Sequence, residues 1–119
     1  MNAEQKFVKC LYIAYKKDIK LIINYDDIYS NSMEYCTTDF DNSFWDGMSE
    51  EDVKECIEYD PDAAFYDELC KYKCDEYWFE VNAKVGEKYY KLCRKDDGTT
   101  DLIFCGDNIN AFLKEYGGK

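Results

Sequence analysis

From Glu76 the apolar residues stop recurring every three or four positions and begin to alternate, with Tyr77, Phe79 and Val81 on one side and Trp78, Glu80 and Asn82 on the other. A period of two is the repeat of a β-strand with one buried face. Gly86 can turn the chain, residues 88–94 (KYYKLCR) read as a second strand, Asp97-Gly98 is a strong hairpin pair, and residues 99–105 (TTDLIFC) read as a third strand. Strands joined by turns this short pair antiparallel, because a parallel pair needs a crossover of a dozen or more residues. An antiparallel meander with one apolar face needs helices to cover it.

The remaining segments supply that cover. Residues 3–17 place Phe7, Cys10, Leu11, Ala14 and Tyr15 at helical spacing, with Lys6, Lys9, Lys16 and Lys17 off the stripe. Ser49 and Asp52 resemble a capping box, and Glu50, Glu51 and Asp52 crowd the first turn, where the helix dipole favours anions. The spacing predicts a helix over residues 50–59, with Val53, Cys56 and Ile57 inward and Glu51, Glu55 and Glu58 outward. Asp60-Pro61 starts another helix, with Asp60 as its cap and Phe65, Leu69 and Tyr72 buried. Asp107 is expected to cap a last helix, with Ile109, Phe112 and Leu113 inward and Gly117-Gly118 at its end. Residues 19–25 (IKLIINY) form a short β-branched run, a candidate strand that Asp26 and Asp27 stop quickly, and residues 29–47 show no period and read mostly as loop. The expected class is α+β, a three-stranded antiparallel meander packed by about four helices. At 119 residues the chain fits a single domain, 1–119, and 12 Tyr, 7 Phe and 2 Trp supply apolar mass for its core.

Composition excludes several kinds of chemistry. The chain has no His, which removes Ser-His and Cys-His catalysis and every His-containing metal site. Seven cysteines, an odd number in a chain whose first 18 residues lack a secretory apolar region, read as reduced thiols and small buried hydrophobes. Cys70 and Cys74 share a helix face, but Cys93 and Cys105 lie too far apart to complete a zinc site with the usual paired spacing. Asp39, Asp41, Ser43 and Glu50 match positions 1, 3, 5 and 12 of a calcium loop, but Phe44 stands where that loop needs Gly. No phosphate-cradling glycine loop and no apolar run long enough to span a bilayer is present. The expectations are a cytoplasmic, non-enzymatic protein without metal or cofactor, membrane contact or small-molecule substrate.

Charge distribution is the one functional clue. The formal net charge of −11 argues against direct binding of nucleic acid. Residues 26–80 hold eighteen acidic residues against Lys54, Lys71 and Lys73, a net of −15, while the segments on either side are near neutral or slightly basic. Glu51, Glu55 and Glu58 would present a carboxylate at roughly every 5–6 Å of helix, comparable with the phosphates of a duplex strand. Asp39, Asp41, Asp46, Glu50, Asp60 and Asp62 extend that charge, and Trp45 is the aromatic expected to anchor the contact face, with Tyr35, Phe44, Tyr59 and Tyr66 also among the acids. For Tyr59 and Tyr66 a place in the core is an equal expectation.

In size, charge and lack of a catalytic signature the chain resembles the small acidic phage-encoded inhibitors of bacterial defence, including anti-CRISPR proteins. The resemblance is one of composition over the whole chain. It implies the bacterial host cytosol, a basic partner that handles DNA or RNA, and inhibition by steric block or nucleic-acid mimicry. The alternative from the residues themselves is a structural or regulatory interaction module whose acidic surface only keeps it in solution.

Overall fold

A computed structural model of the chain describes residues 1–27, 34–73 and 77–117. The chain opens on helix α1 (Ala3–Lys17), held at its start by a reciprocal cap between Asn2 and Gln5. Asp18 ends it in the left-handed conformation at φ 56°, and the Ile19 amide closes on the Ala14 carbonyl, so the chain reverses directly into β1 (Lys20–Asp27). Strand β2 (Glu34–Asp39) pairs back on β1, and a single turn of 3-10 helix, Ser43–Trp45, leads to α2 (Glu50–Tyr59). The Ser49/Asp52 capping box forms as expected. A second 3-10 stretch (Pro61–Ala64) and the short α3 (Tyr66–Cys70) precede β3 (Phe79–Val85), β4 (Lys88–Lys95), β5 (Ile103–Phe104) and α4 (Gly106–Tyr116).

The five strands form one antiparallel sheet in the order β2-β1-β3-β4-β5. The α+β class and the β3-β4-β5 meander agree with the expectation, while the strand count of three does not. β1 is the candidate strand of residues 19–25, which runs on through Asp26 and Asp27, and β2 is a further one. The segment read as loop contains β2, which is an edge strand with mostly exposed polar residues and so lacks the apolar alternation that would reveal it. Gly86, at φ 62°, makes the two-residue connection between β3 and β4, and Gly98, at φ 87°, lies in the turn after β4. The third strand is shorter than expected because residues 99–102 stay in the connection.

The sheet buries one face. Leu21, Ile23, Phe79, Val81, Ala83 and Leu92 share one core with Phe7, Val8, Cys10 and Leu11 of α1, Ile109 and Phe112 of α4, and Phe65 and Leu69 from the stretch that follows α2. A bulge between Val81 and Asn82 sets two consecutive β4 residues, Leu92 and Cys93, into the core. Lys95 ends β4 fully buried, its ammonium donating to the carbonyls of Tyr77 and Asp96 and so fixing the entry to β3. Two expected caps do not form: Asp60 makes no cap bond, and Cys105 occupies the cap position of α4, with Asp107 in its first turn. Phe65, Leu69 and Tyr72 are buried as expected, although the helix they mark is broken into the 3-10 stretch and α3. Cys74 and Gly118 lie outside the described residues.

Candidate interaction surface

Helix α2 lies antiparallel along α1, and three contacts fix it there. The Tyr15 hydroxyl donates to Asp46 at 2.7 Å, the Tyr12 hydroxyl to Glu50 at 2.5 Å, and the Gln5 amide to the Glu58 carbonyl at 3.3 Å. Val53 is buried beneath α2, with Cys56 and Ile57 half-buried beside it. The opposite side of the helix faces solvent and carries Glu51, Glu55 and Glu58. Among the described residues, none of these three carboxylates has a Lys or Arg within ion-pair distance. The first and last of them are about 10 Å apart along the axis at 1.5 Å per residue.

The other acidic candidates are held in different ways. Asp39 ends β2 and pairs with Lys20 at 3.4 Å. Asp41 accepts from the amide and hydroxyl of Ser43, which hold its carboxyl below the usual range. Asp46 and Glu50 are bonded to α1, and the bond to Glu50, with partial burial, pushes the Tyr12 hydroxyl up to about 12. Asp60 and Asp62 continue the α2 edge. A hydrogen bond to Asp62, then slight burial and the negative charge of Asp62, raise the Asp60 carboxyl above its ordinary value. Burial and the charge of Asp62 raise Glu4 in the same neighbourhood, against an opposing pull from Lys73.

Trp45 is 1% exposed. It packs edge-on against Tyr12 and Phe44 and donates its indole N–H to Asn42 at 3.2 Å, so it belongs to the core and is corrected from its place on the contact face. Of the aromatics among the acids, Tyr59 at the end of α2 is 77% exposed, and Tyr35, Phe44 and Tyr66 are exposed as well. Beside α2 runs a groove of about 600 Å3, with Tyr12, Ile13, Val53 and Ile57 in its lining and Lys9 and Lys54 at its rim. The residues in the calcium-loop pattern do not converge, and among the described residues no three His, Cys, Asp or Glu side chains are placed to hold a metal. Burial pushes the thiols of Cys10 and Cys93 up, Cys10 to about 12.

A second site lies on the sheet face opposite the helices. Asn24 of β1, Thr37 of β2 and Glu80 and Asn82 of β3 are neighbours in the strand register. The Thr37 hydroxyl donates to Asn24 Oδ1 at 2.8 Å, and the amides of Asn24 and Asn82 donate to Glu80 Oε1 at 3.4 and 3.2 Å. Lys91 of β4 lies 2.9 Å from Glu80 Oε2. Burial alone would raise the Glu80 carboxyl, but the bonds from Lys91, Asn82 and Asn24 outweigh it and hold the group below its ordinary value. Five residues from four strands make this network, so no sequence window contains it.

No family model, curated protein or solved structure matches the chain. Among the described residues no helix is long and apolar enough to cross a membrane.

Proposed function

We propose that the chain is a non-enzymatic binding protein that occupies the nucleic-acid groove of a basic partner, in the manner of an inhibitor that mimics nucleic acid or blocks its path. The observation that carries this reading is the α2 edge, where Glu51, Glu55 and Glu58 are solvated and unpaired among the described residues, with Asp60, Asp62 and the exposed Tyr59 in line. Solvated carboxylates lose little on approaching a basic groove and gain its field, and an exposed tyrosine adds contact area at low entropic cost. Asp39, Asp41, Asp46 and Glu50 have partners inside the chain. They contribute potential to the face more than direct contacts.

Those internal partners also favour a second reading. Acids that bind α2 to α1 or cap a turn have a structural purpose, and the remaining charge then serves only solubility in a plain interaction module. The two readings part in a pull-down from nuclease-treated bacterial lysate. Mimicry expects retained proteins that bind nucleic acid, that are eluted by excess duplex DNA or RNA, and that are lost when Glu51, Glu55 and Glu58 are reversed to Lys. Retention that neither nucleic acid nor the triple reversal disturbs would reject it.

A further inference from the structure

A pocket of about 380 Å3 opens over the Asn24–Glu80–Asn82 network, with Ile22, Asn24 and Asn82 at its base and the exposed Tyr35 and Tyr89 at its sides. Its size is within the range of small-molecule sites. We propose that this pocket binds a neutral pyranose sugar. The proposal does not rest on the acidic edge of α2, which belongs to the other layer of the fold.

Polar capacity comes first. Asn24 is 7% and Asn82 3% exposed, unusual burial for carboxamides on a sheet face that no helix covers among the described residues. Each gives an amide proton to Glu80, and a carboxamide carries two such protons and an acceptor oxygen. The pocket therefore offers interspersed donors and acceptors held by a shared network. A sugar hydroxyl is itself both donor and acceptor, so a ring of hydroxyls can satisfy such a mixed lining.

Charge favours a neutral ligand. Lys91 is held by Glu80, Lys20 by Asp39 at 3.4 Å, Arg94 by Asp96, and Lys84 lies over the Tyr89 ring at 5.7 Å. Among the described residues three of the four cations of this face are thus paired with carboxylates of the chain, and Glu80 already accepts from three donors. A neutral ligand leaves these pairs in place.

The aromatic walls suit the same ligand class. Tyr35 of β2 is drawn against Trp78, with ring centroids 6.1 Å apart, and Tyr89 stands on β4 across the pocket. An aromatic wall above an apolar Ile22 suits a sugar ring that lays one C–H face on Tyr89 and directs its hydroxyls at the amides, and the nucleosides in the test below separate that ring from a flat heterocycle.

The test is an NMR titration of the full chain, following the side-chain amides of Asn24 and Asn82. The probes are glucose, galactose, mannose and N-acetylglucosamine at millimolar concentration, with glucose 6-phosphate, adenosine and uridine as the contrasting arms. Saturable shifts with at least one neutral sugar are expected, weakened about tenfold in Tyr89→Ala, an exposed position whose truncation leaves the core alone. The Glu51, Glu55 and Glu58 reversal should leave sugar binding unchanged, so a failure of either proposal is read separately. No saturable shift with any of the four sugars, a nucleoside or the phosphorylated sugar binding more tightly, or equal binding in Tyr89→Ala would overturn the proposal.

Discussion

The α2 edge and the open sheet face treat their charges in opposite ways. On α2, Glu51, Glu55 and Glu58 face water, and Asp60 is raised by the carboxylate beside it. On the sheet, Glu80 receives three donors and is held below its ordinary value despite its burial. The first surface is left with unspent negative potential, whereas the second is closed on itself. Fold and function diverge accordingly: charge that a fold neutralises internally stabilises it, and charge left solvated is free to act on something else.

Both surfaces stand on one core, so the strongest way to break the contrast is to damage what they share. Leu92→Ala should cost about 2–5 kcal/mol in denaturant unfolding, because Leu92 is fully buried between sheet and helices. The triple reversal on α2, at exposed positions, should change stability only slightly. Glu80→Gln comes next, expected at about 1–3 kcal/mol, since it leaves the Lys91 ammonium without its counter-charge. Its pH profile sharpens the comparison. A carboxyl whose folded pKa is depressed contributes stability above its unfolded value and loses it as pH falls through the folded one, so wild type should weaken on acidification below the carboxylate range more than Glu80→Gln does.

Tyr12→Phe removes the hydroxyl that fixes α2 to α1 and should cost about 0.5–1.5 kcal/mol by the same measurement. The smallest effect is expected at the edge itself. Asp60 is raised, so its contribution is full below the unfolded value and is lost as pH rises through the folded one, and Asp62→Asn should raise the unfolding midpoint slightly at neutral pH. That gain should vanish in acid, where the pair is already protonated. A midpoint unchanged at both pH values would show that the two carboxylates do not interact.

Much of the frame was legible in the sequence because it rests on local signals. The stripe of Phe7, Cys10, Leu11 and Ala14, the Ser49/Asp52 cap and the alternation ending in Val81 each lie within one element, and each folds as its period demands. β2 was hidden because an edge strand with exposed residues needs no apolar alternation, only the free side of β1 to pair with. The place of Trp45 is not legible in the sequence, because an aromatic among acids looks the same whether it anchors a partner or, as here, fills the space beside Tyr12. The Glu80 network is made by strand register, which no local pattern encodes.

Mimicry requires that the solvated carboxylates of α2 fill a groove built for nucleic acid. Its most direct test is the affinity of the chain for the partner it retains, measured with and without saturating duplex DNA or RNA over a series of salt concentrations. Mimicry predicts binding that weakens steeply with salt, competition by nucleic acid, and loss on reversing Glu51, Glu55 and Glu58 but not on reversing the exposed Glu87, Asp101 and Glu115. A stable ternary complex with nucleic acid still fully bound, or equal sensitivity to the two triple reversals, would contradict it.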